Sequence, residues 1–324
     1  MHNMKSFDVV ALGELLIDFT DSGKSAQGNS LFEANPGGAP CNVLAMLNKW
    51  GRKTAFIGKV GEDIFGVKLK VTLEEMGINT SNLIIDKEVR TTLAFVQTFI
   101  DGDRDFSFYR NPGADMMLTA EEVQVGVVTE AKIFHFGTLS MTHEGVRDAT
   151  KKAITLARNS GAVISFDPNL REPLWKSLDD AKLQTAYGLS QCDVLKISDN
   201  ELLWITGEKD FDAGIAAIRA HYNIILILLS MGRSGSRAYY KDRCVVVPPY
   251  LQNNTIETTG AGDTFGGSCL NYVLEYGLDN LDEEKLKEML NFANAAASIV
   301  TTRKGALRIM PEIDEVKAFI QSRK

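Results

Sequence analysis

Short apolar runs alternate with helical patterns along most of this chain, and that alternation restricts its fold more than any other feature. Val9–Leu12, Ala55–Val60, Lys132–Gly137, Ala162–Asp167, Asp193–Ile197 and Ile224–Ser230 are β-rich, and most are apolar at successive positions. Strands covered by helices on both faces read this way, whereas half-exposed strands alternate. Between them, Cys41–Trp50 and Asp63–Met76 read as helices closed by Gly51 and Gly77, the residue type that best tolerates the left-handed turn after a helix. The pattern predicts an α/β fold: a three-layer α/β/α arrangement around a mostly parallel central sheet with right-handed crossovers.

One segment breaks the rhythm. Thr91–Arg110 contains two strand-like stretches of alternating character around the turn Asp101–Arg104, and reads as a β-hairpin apart from the parallel sheet. The loosely polar stretch Thr20–Asn35 follows the first strand and is placed to pair with it. No repeat, low-complexity tract or long linker divides residues 1–324, so a single domain is expected. A small β-sheet lid, formed by about 18–36 and 91–110, would project over the carboxyl edge of the central sheet.

Composition excludes several functions. The net charge is −7, and no run of lysine and arginine forms a basic patch, which argues against nucleic-acid partners. The apolar run near the start is interrupted by Glu14 and Asp18 and reads as a first strand rather than a signal peptide. No segment approaches the ~20 apolar residues of a membrane span. Cys41, Cys192, Cys244 and Cys269 form no C-x-x-C pair, which suits a reducing, cytoplasmic setting.

The chemistry concentrates in glycine turns that feed helices. Gly260, Ala261 and Gly262 precede a segment in which Phe265, Cys269, Val273 and Tyr276 recur at helical spacing and Gly277 closes the pattern. Such a turn aims backbone N–H groups and the positive end of a helix dipole at one point. It is neither a P-loop, which needs G-K-[ST], nor a dinucleotide fingerprint, which needs glycine where Phe265 stands. Its acidic residue, Asp263, sits where an anion would be received. Asn35–Asn42 (NPGGAPCN) is a second glycine-rich helix entry, Gly58–Gly66 (GKVGEDIFG) follows a strand, and Phe166–Trp175 (FDPNLREPLW) hangs polar groups from a strand's carboxyl end. In open α/β sheets that edge is where ligands bind.

Taken together these segments resemble the ribokinase-like (pfkB) family of carbohydrate kinases, over nearly the whole chain from GELLIDF to KGALRIMP. FYRNPGADM (Phe108–Met116) and FDPNLREPLW are similar to the fructokinase branch, and kinases of 2-keto-3-deoxygluconate share part of the latter. The resemblance implies a kinase that moves the γ-phosphoryl group of ATP to the 6-hydroxyl of D-fructose. Asp263 would be the catalytic base, the Gly260–Asp263 amides an anion hole, and Arg171 a partner of the transferred phosphate. Sugar contacts would come from Asp18, Gly37, Gly38, Asn42, Asn169 and Arg110, with Phe95 and Phe108 covering the sugar from the lid. Lys196, Ser230, Gly232, Gly235, Ala293 and Asn294 would meet the nucleotide, and Glu201 would organise Mg²⁺.

Two positions depart from the family pattern. Ser198 replaces the usual Asn three residues before Glu201, and Glu257 replaces an Asp beside the position where many relatives bind K⁺, so K⁺ is left open. Each candidate also has a purely structural reading: Asp18 as a turn residue, Asn42 and Glu201 as first-turn helix residues, Arg110 and Arg171 as solvated surface, and Ala293 and Asn294 as helix packing. His135, His143, Trp50 and Trp204 carry no signal beyond packing. Alternatives are the same chemistry on 2-keto-3-deoxygluconate or a ribose-like sugar, or a sugar or nucleotide sensor without turnover. Relatives often pair through their lids, so a homodimer is expected.

Overall fold

The structure, a computed structural model, describes residues 5–98 and 104–323. Numbered along the chain, the larger sheet holds β1 (Phe7–Leu12), β4 (Thr54–Gly61), β5 (Asn79–Asp86), β8 (Ala131–Gly137), β9 (Val163–Asp167), β10 (Val194–Ser198), β11 (Leu226–Ser230), β12 (Ser236–Tyr240) and β13 (Arg243–Val247). The smaller sheet holds β2 (Leu16–Lys24), β3 (Ser30–Gly37), β6 (Leu93–Thr98) and β7 (Arg104–Tyr109). The helices are α1 (Ala39–Lys49), α2 (Ile64–Glu75), α3 (Val125–Thr129), α4 (Glu144–Asn159), α5 (Leu178–Gln191), α6 (Asp199–Thr206), α7 (Phe211–His221), α8 (Ala261–Tyr276), α9 (Glu283–Val300) and α10 (Ile313–Ser322).

The larger sheet runs in the order β13-β12-β11-β10-β9-β8-β1-β4-β5. Pairing is parallel from β11 to β5 and antiparallel at β12 and β13. The six apolar runs form one contiguous block of it, β11 through β4. The strands of this sheet that periodicity missed are the edges β5 and β13, whose residues are partly exposed, and β12, which is mostly buried but opens with the polar Ser236 and Arg237. Along β1, Val9 and Ala11 join the core beneath α1, α8 and α9, while Val10 and Leu12 join the core on the α4 side. Both faces of a central strand are dry, as a three-layer fold requires.

In the smaller sheet, β2 pairs antiparallel with β3 and parallel with β6, and β6 pairs with β7. The stretch Thr20–Asn35 therefore folds onto itself as a hairpin and does not pair with β1. Chain direction explains this: after β1 the chain leaves the large sheet at Gly13, where a Cβ would meet Pro40 of α1, and β2 starts a new ladder. The hairpin of β6 and β7 forms as expected; Asp101–Asp103 of its turn lie outside the described residues.

Asp63 ties the two sheets together. Its Oδ1 accepts the N–H groups of Phe65 (3.0 Å) and Gly66 (2.9 Å), capping α2, while its Oδ2 accepts the N–H of Thr91 (2.8 Å) just before β6. Gly66 is required because a Cβ there would collide with the Gly61 carbonyl oxygen. Partial burial pushes the Asp63 carboxyl up, but its bonds to Thr91, Gly66 and Phe65 outweigh this and hold it below the ordinary carboxylate value. A depressed folded-state pKa contributes stability above the unfolded value, lost as pH falls through the folded one. Asp63→Ala is expected to cost about 1–2 kcal/mol at pH 7, with the gap to the parent closing in acid. Urea unfolding at pH 7 and near pH 3 checks this, and a gap unchanged at low pH would assign the loss to packing.

Candidate active site

Two helix N-termini meet at the carboxyl edge of the large sheet. α8 begins after Gly260, whose φ of 76° turns the chain into the helix. α1 begins after Gly38 at φ 125°, where a Cβ would collide with the Glu14 carbonyl. The two helices lie close because Gly267 faces α1: a Cβ there would sit 3.2 Å from both Met46 Cβ and the Val43 carbonyl oxygen. Between their amino ends and the smaller sheet opens a polar cleft of ≈ 590 Å³. Asp263, Gly260, Gly262, Asn42, Gly38, Asp18, Phe108, Asn169, Arg171 and Lys196 all line it, together with Glu14.

Asp263 lies buried at the start of α8 and accepts a hydrogen bond from Asn42 Nδ2 at 2.7 Å. Burial pushes its carboxyl above the ordinary value, opposed by the Asn42 bond and by the charges of Lys196 and Arg171. Lys196 comes from β10 and is also buried, with Nζ 2.9 Å from Asp167 Oδ2 and 3.2 Å from Asp167 Oδ1. A Cβ at Gly262 would lie 3.2 Å from the same Nζ, so the ammonium sits directly under the glycine turn. Burial alone would lower its pKa; the charges of Asp167, Glu201 and Asp263 outweigh that and hold it above the ordinary lysine value. Neighbouring His135 is pushed down to about 3 by burial and by Lys196, so it stays neutral, bonded to Ser165 Oγ at 3.0 Å.

Glu201 folds its carboxylate inward. Its Oε1 accepts the Leu170 N–H (2.8 Å), and its Oε2 accepts the Ser198 N–H (2.9 Å) and Oγ (2.8 Å). Ser198, the departure from the expected Asn, is the N-cap of α6 and closes a capping box with Glu201. Burial would raise Glu201, but Lys196 and these bonds hold it below the ordinary value. Three of about four acceptor positions on the carboxylate are thereby used, which fits support of a metal-bound water better than direct enclosure of an ion. No group of three or more His, Cys, Asp or Glu that could hold a metal ion occurs among the described residues.

Several expected contacts lie elsewhere. Arg110 is not on the cleft: its Nη2 pairs with Asp115 Oδ2 (2.7 Å), its Nε donates to the same oxygen (2.8 Å), and its Nη1 donates to Thr142 Oγ1 (2.9 Å). Phe95 is on the wrong face. Its register partner is Phe19, on which it stacks at 4.8 Å, while Ala94 pairs with both Asp18 and Phe108. Strand alternation therefore sends Phe108 toward the cleft and Phe95 away from it. Gly37 sits against Asp18, where a Cβ would strike its carboxylate.

A second cavity, ≈ 290 Å³, lies across the glycine turn and is lined by Ser230, Gly232, Gly235, Ala261, Gly262 and Asn294. Ala293, expected beside Asn294, is buried in the core; Ala297 and Ser298, one turn on, line the cavity instead. Helical periodicity alone could have made that choice. Gly232 has open space where a Cβ would stand, as close approach of a phosphorylated ligand needs, whereas a Cβ at Gly260 would make ordinary contacts at 3.8–3.9 Å with Met310, Ala306 and Asn42. Within the turn, the Ala261 N–H goes to the Thr258 carbonyl (3.2 Å). Two overlooked residues are Glu14, which lines the cleft, and Asp167, buried beside it as the partner of Lys196. Glu14 Oε1 accepts the Ala39 N–H (2.7 Å) at the start of α1, and burial pushes its carboxyl up to about 7. Both stand in recognised segments, GELLIDF and FDPNLR, beside residues that drew attention first.

A glycine turn at a helix start, a buried carboxylate beside it and two cavities that meet there are the arrangement of a phosphoryl-transfer enzyme acting on a small polyhydroxylated molecule. The description "pfkB family carbohydrate kinase" matches residues 6–313, and the chain belongs to that family. It is 41% identical over 315 residues to probable fructokinase-2 of Arabidopsis thaliana, covering 97% of this chain and 95% of that protein. Among solved structures it is similar to fructokinase with bound ATP from Xylella fastidiosa, with a TM-score of 0.88, 30% identity and 98% of each chain covered. Fructokinase from Vibrio cholerae O395, in its fructose, ADP and calcium ion bound form, gives a TM-score of 0.86 at 27% identity, over 97% of this chain and 99% of that one.

The Arg110 placement yields a test. Arg110→Met leaves Asp115 as an unpaired buried charge and is expected to cost about 3–5 kcal/mol. The sugar KM of the folded fraction should not change. Thermal unfolding alongside steady-state kinetics checks this; a raised KM with unchanged stability would return Arg110 to the sugar site.

Proposed function

We propose that this chain transfers the γ-phosphoryl group of ATP to the 6-hydroxyl of D-fructose. One observation carries the reading: the two cavities share Thr258 and Gly262, and Asp263 stands where they join. In this reading ATP occupies the cavity lined by Ser230, Gly232, Gly235 and Asn294, and the sugar occupies the polar cleft. Asp18 and Asn42 accept and donate to its hydroxyls, Asn169 adds a further polar contact, and Phe108 covers it.

The chemistry follows from position and charge. Asp263 accepts the proton of the reacting hydroxyl as its oxygen bonds to phosphorus, and the bond from phosphorus to the ADP oxygen breaks. The first-turn N–H groups of α8 at Gly262 and Asp263 have no acceptor within the helix and would receive the phosphoryl oxygens, helped by Lys196 and Arg171. Mg²⁺ would supply further neutralisation when bound to the nucleotide, with Glu201 holding its water shell. A monovalent cation such as K⁺ beside Glu257 is a further part of the proposal. Fructose is favoured over 2-keto-3-deoxygluconate because Arg110 is paired to Asp115 and, among the described residues, the cations lining the cleft are Arg171 and Lys196, which this reading assigns to the phosphate.

The smaller sheet serves as the lid, excluding water from the reaction. Its outer face supports pairing of two copies. Phe19, Phe32, Phe95 and Tyr109 form one aromatic cluster there, with Phe32 47% and Tyr109 66% exposed. On neighbouring α2, Ile64 and Val67 are also exposed. Apolar patches of this kind mark interfaces. Cys41, Cys192 and Cys269 are buried free thiols, which accords with the proposed cytoplasmic setting. No helix among the described residues is long and apolar enough to cross a membrane.

ADP release measured with Mg-ATP over a panel of sugars tests the reading. Fastest turnover is expected on fructose, with Asp263→Asn losing kcat by about 10²–10⁴ while retaining ATP affinity. Turnover confined to ribose or the keto-acid sugar would overturn the substrate, and tight binding without turnover would favour a sensor. For the assembly, sedimentation at micromolar concentration should show a dimer that Phe32→Asp dissociates; a monomeric parent would remove the proposal.

A further inference from the structure

Resting on the kinase reading above, we propose that Asn42 is the positioning residue of the base: one planar amide fixes Asp263 and the sugar relative to each other. Asn42 Nδ2 donates to Asp263 Oδ2 at 2.7 Å. Among the described residues this is the one hydrogen bond made to the Asp263 carboxylate. Asn42 thereby occupies one carboxylate oxygen and assigns the proton-accepting role to the other, Oδ1.

The opposite end of the same amide is unsatisfied. Asn42 is 4% exposed, and its Oδ1 is buried with no hydrogen-bond partner although the residue lines the cleft. A buried acceptor without a donor is costly unless something arrives to fill it. A sugar hydroxyl is the donor class that this polar cleft admits. Once that hydroxyl donates to Oδ1, the amide bridges substrate and base, and rotation of either away from the other breaks a bond.

The rest of the fold keeps this amide from moving. Glu14 Oε1 accepts the Ala39 N–H at 2.7 Å, and the Gly38 carbonyl accepts the Asn42 N–H at 3.0 Å, so the first turn of α1 is pinned at both levels. One turn further on, Gly267 lets α8 close on Val43 and Met46. Asn42 and Asp263 thus stand on two helices whose separation is set by packing. A near-attack geometry depends on this kind of fixed spacing, because small misplacements cost rate steeply.

The test is the kinetics of Asn42→Ala and Asn42→Asp, measured across pH on whichever sugar of the panel the parent enzyme turns over. The groups whose charges face Asp263 are Asp167 on β9, Arg171 after it, Lys196 on β10 and Glu201 on α6, and all remain in both variants. Asn42→Ala should lower kcat by about 10²-fold at neutral pH, with the ATP KM within about twofold. Its acid limb should move up by about one pH unit, because a bond that favours the charged carboxylate is lost. Asn42→Asp, nearly the same shape, should move that limb further by setting two carboxylates against each other. A raised sugar KM with kcat and the acid limb unchanged in both variants would overturn the inference, leaving Asn42 as a sugar contact only. Failure of the kinase reading itself would show separately, as a parent enzyme without turnover on any sugar.

Discussion

One buried ammonium organises the candidate site. Lys196 pairs with Asp167 and lies close enough to Asp263 and Glu201 for all three carboxylates to keep it protonated against burial. Without it, three acids would be gathered with Arg171 as the remaining cation beside them among the described residues, and charge repulsion would favour protonation. A base that is protonated cannot accept a hydroxyl proton. The glycine turn Gly260–Gly262 has no lysine of its own, unlike a P-loop, and the fold supplies one from the end of β10 instead.

That arrangement depends on strand order. β9 and β10 are neighbours in the sheet, so Asp167 and Lys196 emerge side by side at the same edge. β1 lies two strands from β9, with β8 between them, and its continuation brings Glu14 and then Asp18 over the same edge. α1 and α8 cover that face and deliver Asn42 and Asp263 side by side to the cleft. The chemistry is therefore assembled from segments more than two hundred residues apart, and the hydrogen bond between Asn42 and Asp263 is their shortest link. Aspartate at a helix start is often no more than a dipole partner; here it is also buried and bonded across the helix interface, which supports the proposed role as base.

Much of the fold was legible in local pattern. Six runs of doubly buried strand, the helix ends at Gly51, Gly77 and Gly277, and the hairpin apart from the main sheet all follow from periodicity and from glycine's access to positive φ. Edge strands β5 and β13 escaped because partial exposure removes the continuous apolar signal, and β12 because polar Ser236 and Arg237 interrupt it. In the site, residues within a single segment were legible as groups: the turn before α8, the turn before α1, and the polar run after β9.

Residues whose role depends on which way a side chain turns were not legible. Arg110 follows a strand that borders the cleft, yet its guanidinium turns back to Asp115; Phe95 and Phe108 look equivalent until register puts them on opposite faces. Ser198 looks like a lost amide and proves to be the cap that turns Glu201 inward. By itself the sequence determined the layers and the glycine turns, because these rest on patterns close along the chain, and it placed Asp263 at the start of α8. Only the tertiary structure decided that Lys196 lies under the turn, that Asn42 holds Asp263, and that Arg110 does not face the cleft. Such pairings are set by strand order and helix packing, which bring together groups that nothing local relates.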